Sequence, residues 1–321
     1  MNVYAYPYEK VEWTLGAIGS VSEEHVRSLV KNCIGLGVEN RVKSVFGGIP
    51  CSWEAGRPRH EKMLNMTVDG LLRNTDEWNE LGVGCRMTFS QFEEERVDLE
   101  DPIANAVLRH LNDAGHPENG VIVSLDKVRD YVRDRYPRLK VICSQIRPSV
   151  EKGFGHDKDT IEYYETLMRS HDLVVVNPAK AFDTEFLGQL ARPDKVEFIV
   201  NHCCPMNCPY EKAHYVRINK ANDETTPENV PLHDRWLVED VCPKNKLTRL
   251  NSTRFLHDII HIPTPAGTFD CAGMIGMLSN YYGITHFKLK GREWAWNPSF
   301  RNDLSSFVYS PEFIAFSEGL F

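Results

Sequence analysis

The stretch GVIVSLDKVRDYVRDRYPRLKVICS, residues 120–144, decides the fold. Gly120–Ser124 is a short β-rich run, Asp126–Tyr136 is an amphipathic helical stretch, and Pro137 stops that helix because proline cannot continue the backbone ladder. Leu139–Cys143 is then a second strand, which makes a strand–helix–strand unit that buries its strands in a parallel sheet. The same rhythm extends in both directions. Upstream it gives a strand within Val11–Ile18, then a helix opened by a Ser20/Glu23 capping box and ending at Gly37. A strand over Arg41–Phe46 stops at Gly47-Gly48, and helix Thr67–Leu81, strand Val83–Phe89 and helix Ile103–Ala114 follow. Downstream lie helix Thr160–Ser170, strand Asp172–Asn177, helix Phe182–Leu190 and strand Lys195–Val200. Residues 201–255 break the pattern with Pro, Asn, Asp and Cys, and it resumes as helix Ala272–Tyr282 and strand Ile284–Leu289.

Eight strands with intervening helices predict an α/β fold of the (β/α)8 TIM-barrel type, with a Cys-rich insertion after strand seven. One domain over 1–321 is expected, with the insertion at 201–271 and a tail at 294–321 packed on the barrel exterior. No G-x-G-x-x-G follows a strand, which argues against a dinucleotide-binding sheet.

Composition narrows the function classes. The 321 residues carry 37 Lys and Arg against 45 Asp and Glu, a formal charge of −8, so no non-specific nucleic-acid binding is expected. No apolar run approaches the roughly 20 residues of a membrane span, so no span is expected. Met1 to Trp13 lacks the charged-then-apolar order of a signal peptide, and a cytoplasmic location is expected.

Nine cysteines are an odd number for a secreted disulfide framework. Cys33, Cys85 and Cys143 sit singly in apolar segments and read as core, and Cys51, after a Gly-Gly-Ile-Pro turn, fits either class. The other five are Cys203, Cys204, Cys208, Cys242 and Cys271, four of them beside Pro or polar turn residues. Soft thiolates gathered from separate loops bind zinc or an iron–sulfur cluster. Structural zinc sites use paired knuckles, whereas here one loose pair is followed by gaps of 34 and 29 residues. A radical-SAM loop needs a cysteine at 211, where the chain has Glu211.

Three segments carry a family resemblance. GLGVENRVKSVFGG (35–48) is similar to a Gly-Ala-Asp-Ala-Val-Tyr-Gly second strand, and Val196-Glu197-Phe198 runs into a cysteine loop. Phe269-Asp270-Cys271, then Tyr282-Gly283-Ile284 and Phe287-Lys288-Leu289-Lys290-Gly291-Arg292, is similar to a block ending Phe-Lys-Ile-Glu-Gly-Arg. Together they resemble the peptidase U-32 (collagenase-like) family over roughly residues 10–295, with Lys290 standing where that family has Glu. The resemblance implies a 4Fe–4S cluster on Cys204, Cys208, Cys242 and Cys271, with Cys203 as the alternate to Cys204. It also implies oxygen-independent hydroxylation of an RNA base or an aromatic ring, with prephenate as an oxygen donor in the RNA branch. A homologous partner subunit, in which this chain is a non-catalytic cluster carrier, is a second implication, and peptide hydrolysis a third. No G-x-S-x-G elbow is present to support the last.

Polar residues at the expected strand ends, Ser90, Ser144, Gln145, Asn177, Asn201 and Arg292, form the candidate pocket. Lys288, Lys290 and Arg292 add positive charge suited to a carboxylate or phosphate. His214, six residues past Cys208, is a candidate second-sphere donor or proton carrier, and His257 and His261 can share a helix face. The candidate catalytic groups are therefore His214, Lys290 and Arg292.

Overall fold

The computed structural model describes residues 8, 10–20, 23–55, 61–152, 160–201, 211–224, 263–264, 267–268, 271–290, 304 and 307–317. Eight parallel strands close into one barrel. They are β1 (Glu12–Gly16), β2 (Val42–Gly48), β3 (Gly84–Phe89), β4 (Gly120–Val123), β5 (Lys140–Cys143), β6 (Leu173–Val176), β7 (Val196–Ile199) and β8 (His286–Leu289). Each pairs with its sequence neighbours, and β8 returns to β1 through Trp13↔Phe287 and Leu15↔Leu289. The chain therefore folds as a (β/α)8 barrel.

The helices connecting the strands are α1 (Glu23–Gly35), α2 (Glu61–Leu64), α3 (Val68–Glu80), α4 (Pro102–Ala114), α5 (Asp126–Arg135), α6 (Ile146–Glu151), α7 (Ile161–Ser170) and α8 (Thr184–Gln189). Between β7 and β8 lie α9 (Glu211–Glu224) and α10 (Cys271–Asn280), and α11 (Pro311–Ser317) packs against α1. Local chemistry sets the ends. Thr67 caps α3 by accepting from Gly70 N–H, and Asp101 caps α4 by accepting from Ile103 and Ala104. Gly115 ends α4 in the left-handed conformation at φ 66°.

The structure departs from the sequence reading in several elements, among them the short helices α2 and α6, which that reading lacks. Helix Phe182–Leu190 is split: Pro178–Phe182 is a 3₁₀ turn, and α8 starts afresh at Thr184 because Asp183 accepts from Phe186 N–H. The region after Asn201, expected to be irregular, contains the fourteen-residue α9.

Strand alternation divides the barrel into two environments. Trp13, Leu15, Cys85, Met87, Val121, Val141, Val174, Phe198 and Phe287 face the helices and form one continuous core with them. Phe46, Ile122, Ile142, Leu173, Val175 and Ile199 form a separate apolar cluster inside the barrel. Charged and polar side chains also line the interior. Arg86 donates to Glu197 Oε1 (3.0 Å), to Thr14 Oγ1 (2.9 Å) and to Glu118 Oε2 (2.9 Å). Lys288 Nζ lies 3.7 Å from Glu197 Oε2 and 3.9 Å from the centre of the Phe46 ring, and Lys140 pairs with Glu118. Burial pushes the Glu197 carboxyl up, but Lys288, Arg86 and the Thr14 hydroxyl outweigh it and hold the group below the usual carboxylate range.

His171, at the end of α7, is also buried. Its Nδ1 sits 2.9 Å from the Leu167 carbonyl, an acceptor only, so Nδ1 carries the proton of the neutral ring. Nε2 is buried without a hydrogen-bond partner among the described residues. Burial lowers the pKa from 6.5 to about 4. Between those values the unfolded chain binds a proton that the folded chain does not, so stability falls as pH drops through this window. The loss attributable to His171 is about 3 kcal/mol once pH reaches the lower end. His116 and His286 are shifted in the same direction by burial and add to the slope. His171→Asn, which keeps a donor to Leu167, is expected to flatten the decline of the urea midpoint between about pH 6.5 and 4. An unchanged slope refutes this assignment.

Candidate functional site

In a barrel of this type the loops at the carboxyl ends of the strands build the site. Five of the six expected pocket residues stand there in described positions, and all five are buried. Three have local structural work. Ser144 Oγ accepts from Ile146 N–H at the start of α6, and Asn177 Oδ1 accepts from Ala179 N–H. Asn201 fastens the ends of β7 and β8 together: its Oδ1 accepts from Lys290 N–H (2.8 Å) and its Nδ2 donates to Lys290 O (3.0 Å). Gln145 Nε2, and Thr88 Oγ1 on the inward face of β3, are buried with no hydrogen-bond partner among the described residues. They are two groups at or below the mouth with unused hydrogen-bonding capacity.

Lys288 and Lys290 differ in burial. Lys288 is buried in the interior beside Glu197, not solvated at a strand end, and Lys290 is half-buried. Cys203, Cys204, Cys208, Cys242, His257, His261 and Arg292 lie outside the described residues, as do the side chains of His214 and Cys271. The backbones of His214 and Cys271 belong to α9 and α10.

The four described cysteines, Cys33, Cys51, Cys85 and Cys143, are free and buried. Burial pushes the Cys143 thiol up to about 12 and raises Cys33, Cys51 and Cys85 as well. These are protonated core thiols, unsuited to be nucleophiles or metal ligands near neutral pH.

Sequence reasoning missed Glu54. It is buried at the carboxyl end of β2, and Ser90 Oγ donates to its Oε2 at 3.3 Å. Glycine at 48 makes the room: a Cβ there would meet Glu54 Cδ at 3.1 Å and Oε1 at 3.3 Å. Gly48 pairs with Thr88, which in turn pairs with Ile122 of the interior cluster, so the carboxylate enters the barrel mouth beside Thr88. The turn carrying it is fixed to the neighbouring loop. Gln91 N–H donates to Trp53 O (2.9 Å), and Asp101 Oδ2 accepts from Ser52 N–H (2.8 Å) and Ser52 Oγ (2.9 Å). The only hint in the sequence was the Gly47-Gly48 pair after Phe46, because alternation turns the second glycine inward.

The mouth thus combines a carboxylate, hydroxyls of Ser90, Thr88 and Ser124, the unused Gln145 amide donor and, below, the Lys288 ammonium. Such a set can orient a polar ligand and exchange a proton with it. Comparison with protein-family models and with curated proteins finds no match to this chain. Among the described residues no helix is long and apolar enough to cross a membrane.

Proposed function

We propose that the chain is an iron–sulfur barrel protein of the peptidase U-32 type, holding one 4Fe–4S cluster on Cys204 (or Cys203), Cys208, Cys242 and Cys271. Its proposed task is an oxygen-independent hydroxylation of an RNA base or an aromatic small molecule. The observation that carries this reading is where the cysteine segment joins the barrel. Asn201, two residues before Cys203, lies just past the end of β7 at the mouth, and Cys271 is the first residue of α10, which leads back toward the start of β8. A helix between parallel strands begins at the face where the preceding strand ends, so both joins belong to the site face. The donor chemistry fits as well. The first residue of a ten-residue helix is favourable for a thiolate, because the unpaired backbone N–H groups there favour negative charge. The four described cysteines are buried singly and gather into no metal-holding group among the described residues, which favours the other five as ligands.

A bound cluster supplies one-electron transfer. The remaining work falls to the chain's own residues. Lys290, with Arg292, supplies positive charge for a carboxylate such as that of prephenate. Asn201 holds the backbone of Lys290 in place. Ser90, Thr88 and Gln145 orient polar groups of the substrate, and Glu54 exchanges a proton with it. Peptide hydrolysis is disfavoured by the lack of a G-x-S-x-G nucleophile elbow in the sequence.

Anaerobic purification with iron and sulfide assays tests the reading. About four irons and four sulfides per chain are expected. Zinc without sulfide, or folded protein free of metal, overturns it.

A further inference from the structure

β7 and β3 stand four strands apart in either direction round the ring, on opposite sides of the barrel. The chain leaves β7 at the mouth, yet α9 reaches the loop after β3 on the opposite side, and it also touches α6 after β5, which stands midway between them. The helix therefore crosses the mouth. α10, not α9, covers the outside of the sheet at this point, through Met274, Ile275 and Leu278 in the helix–sheet core.

Among the described residues, the hydrogen bonds and ion pairs of α9 with the barrel gather at the loop after β3. The buried stripe of the helix is Tyr215, Ile218, Asn219 and Asn222, at helical spacing, while Lys212, Val216, Lys220 and Asp223 are exposed. Tyr215 and Ile218 belong to neither hydrophobic cluster of the described residues. The contact at the far edge is a reciprocal amide pair. Gln91 Nε2 donates to Asn219 Oδ1 (3.1 Å), and Asn219 Nδ2 donates to Gln91 Oε1 (2.9 Å). Asn219 Nδ2 also donates to Glu93 Oε2, and Arg96 joins Glu93 (2.6 Å) to Asp223 (2.9 Å). Gln91 Oε1 further accepts from Phe92 and Glu93 N–H, and Gln91 N–H is bound to Trp53 O beside Glu54. The pair therefore sits on the turn that carries the mouth carboxylate.

Such a seam differs from an apolar one. When it parts, its amides and charges exchange their partners for water at little net cost, whereas a hydrophobic seam loses its full burial. An element whose far-edge contact is of this kind belongs to the low-stability end of a fold, where covers of binding sites are found.

We propose that α9 is a movable roof over the barrel mouth, latched by Gln91 and Asn219, and that a polar ligand enters where this latch parts. Asn219→Asp tests it. The new carboxylate keeps the Gln91 Nε2 donor on one oxygen, but its other oxygen faces Gln91 Oε1 and Glu93 Oε2, both acceptors, so the latch is weakened. Adding Glu93→Gln restores a donor opposite that carboxylate and should close the latch. Backbone hydrogen exchange, resolved by peptide, is read on the full chain in wild type, Asn219→Asp and the double variant. Exchange in α9 is expected to be faster than in the barrel strands already in wild type. It should rise at least about tenfold in Asn219→Asp and return to within about threefold of wild type in the double variant, with strand protection unchanged throughout. Wild-type α9 exchanging as slowly as the strands, an unchanged rate in Asn219→Asp, or simultaneous loss of strand protection in Asn219→Asp each overturns the proposal. None of these readings depends on the metal, so the roof and the iron–sulfur assignment stand or fall separately.

Discussion

Cys208→Ala, Cys242→Ala and Cys271→Ala are each expected to lower the iron content of anaerobically purified protein from about four per chain to below about one, while Cys33→Ala leaves it unchanged. A four-iron cluster uses each thiolate to complete one iron, and a methyl group offers no donor in its place. Cys33 makes the informative control because it is a thiol of another kind. It is fully buried on α1, donates to the Tyr309 hydroxyl at 3.3 Å, and is held protonated by burial. Iron content that is equal in all four variants refutes the ligand assignment. Cys203→Ala and Cys204→Ala form a further pair, of which only one should lose iron. The cysteine that can be removed without loss is then not a ligand, a choice that adjacency in sequence leaves open.

The second large effect lies inside the barrel. Glu197→Ala is expected to cost about 3–5 kcal/mol, because it leaves the Arg86 guanidinium and the Lys288 ammonium buried without their shared carboxylate. The Arg86→Met variant should lose a comparable amount, since Glu197 and Glu118 both take a hydrogen bond from that guanidinium. Removing both ends together, Arg86→Met with Glu197→Leu, should recover only part of the loss, because the Lys288 ammonium is still left without its carboxylate. A buried pair barely exceeds its desolvation cost, and apolar side chains of similar volume fill the same space. Urea midpoints for the two single variants and the double variant measure all three terms and their coupling. Single variants within about 1 kcal/mol of wild type would mean that the network is hydrated and weak.

The barrel was legible because its signal is local and repeated. Gly120–Ser124, Asp126–Tyr136 and Leu139–Cys143 each announce themselves within a dozen residues, and the same unit recurs along the chain. The strand ends were legible too, so Ser90, Ser144, Gln145, Asn177 and Asn201 were found at the mouth. Their duties were not. That Ser144 and Asn177 cap turns, and that Asn201 fastens two strands, depends on which backbone groups come within reach. The helix α9 escaped notice because Glu211–Glu224 has no apolar stripe wide enough to read as a core-facing helix, and its buried face is half amide. Glu54 escaped for a related reason: nothing in its own segment marks an acidic residue as buried, and the space it occupies is created by Gly48.

By itself, then, the sequence determined the order of the eight strands and of most helices between them, the barrel class and the separation of core cysteines from the cysteine-rich segment. These follow from side-chain periodicity and from residue types that start or stop a helix, which act over a few residues. Only the tertiary structure decided that Arg86 meets Glu197, 111 positions away, and that Gln91 meets Asn219, 128 positions away. Closing the barrel fixes the register of every strand at once. Which polar groups then face one another is a property of that closure, because a hydrogen bond depends on ångströms in space and carries no trace of itself along the chain.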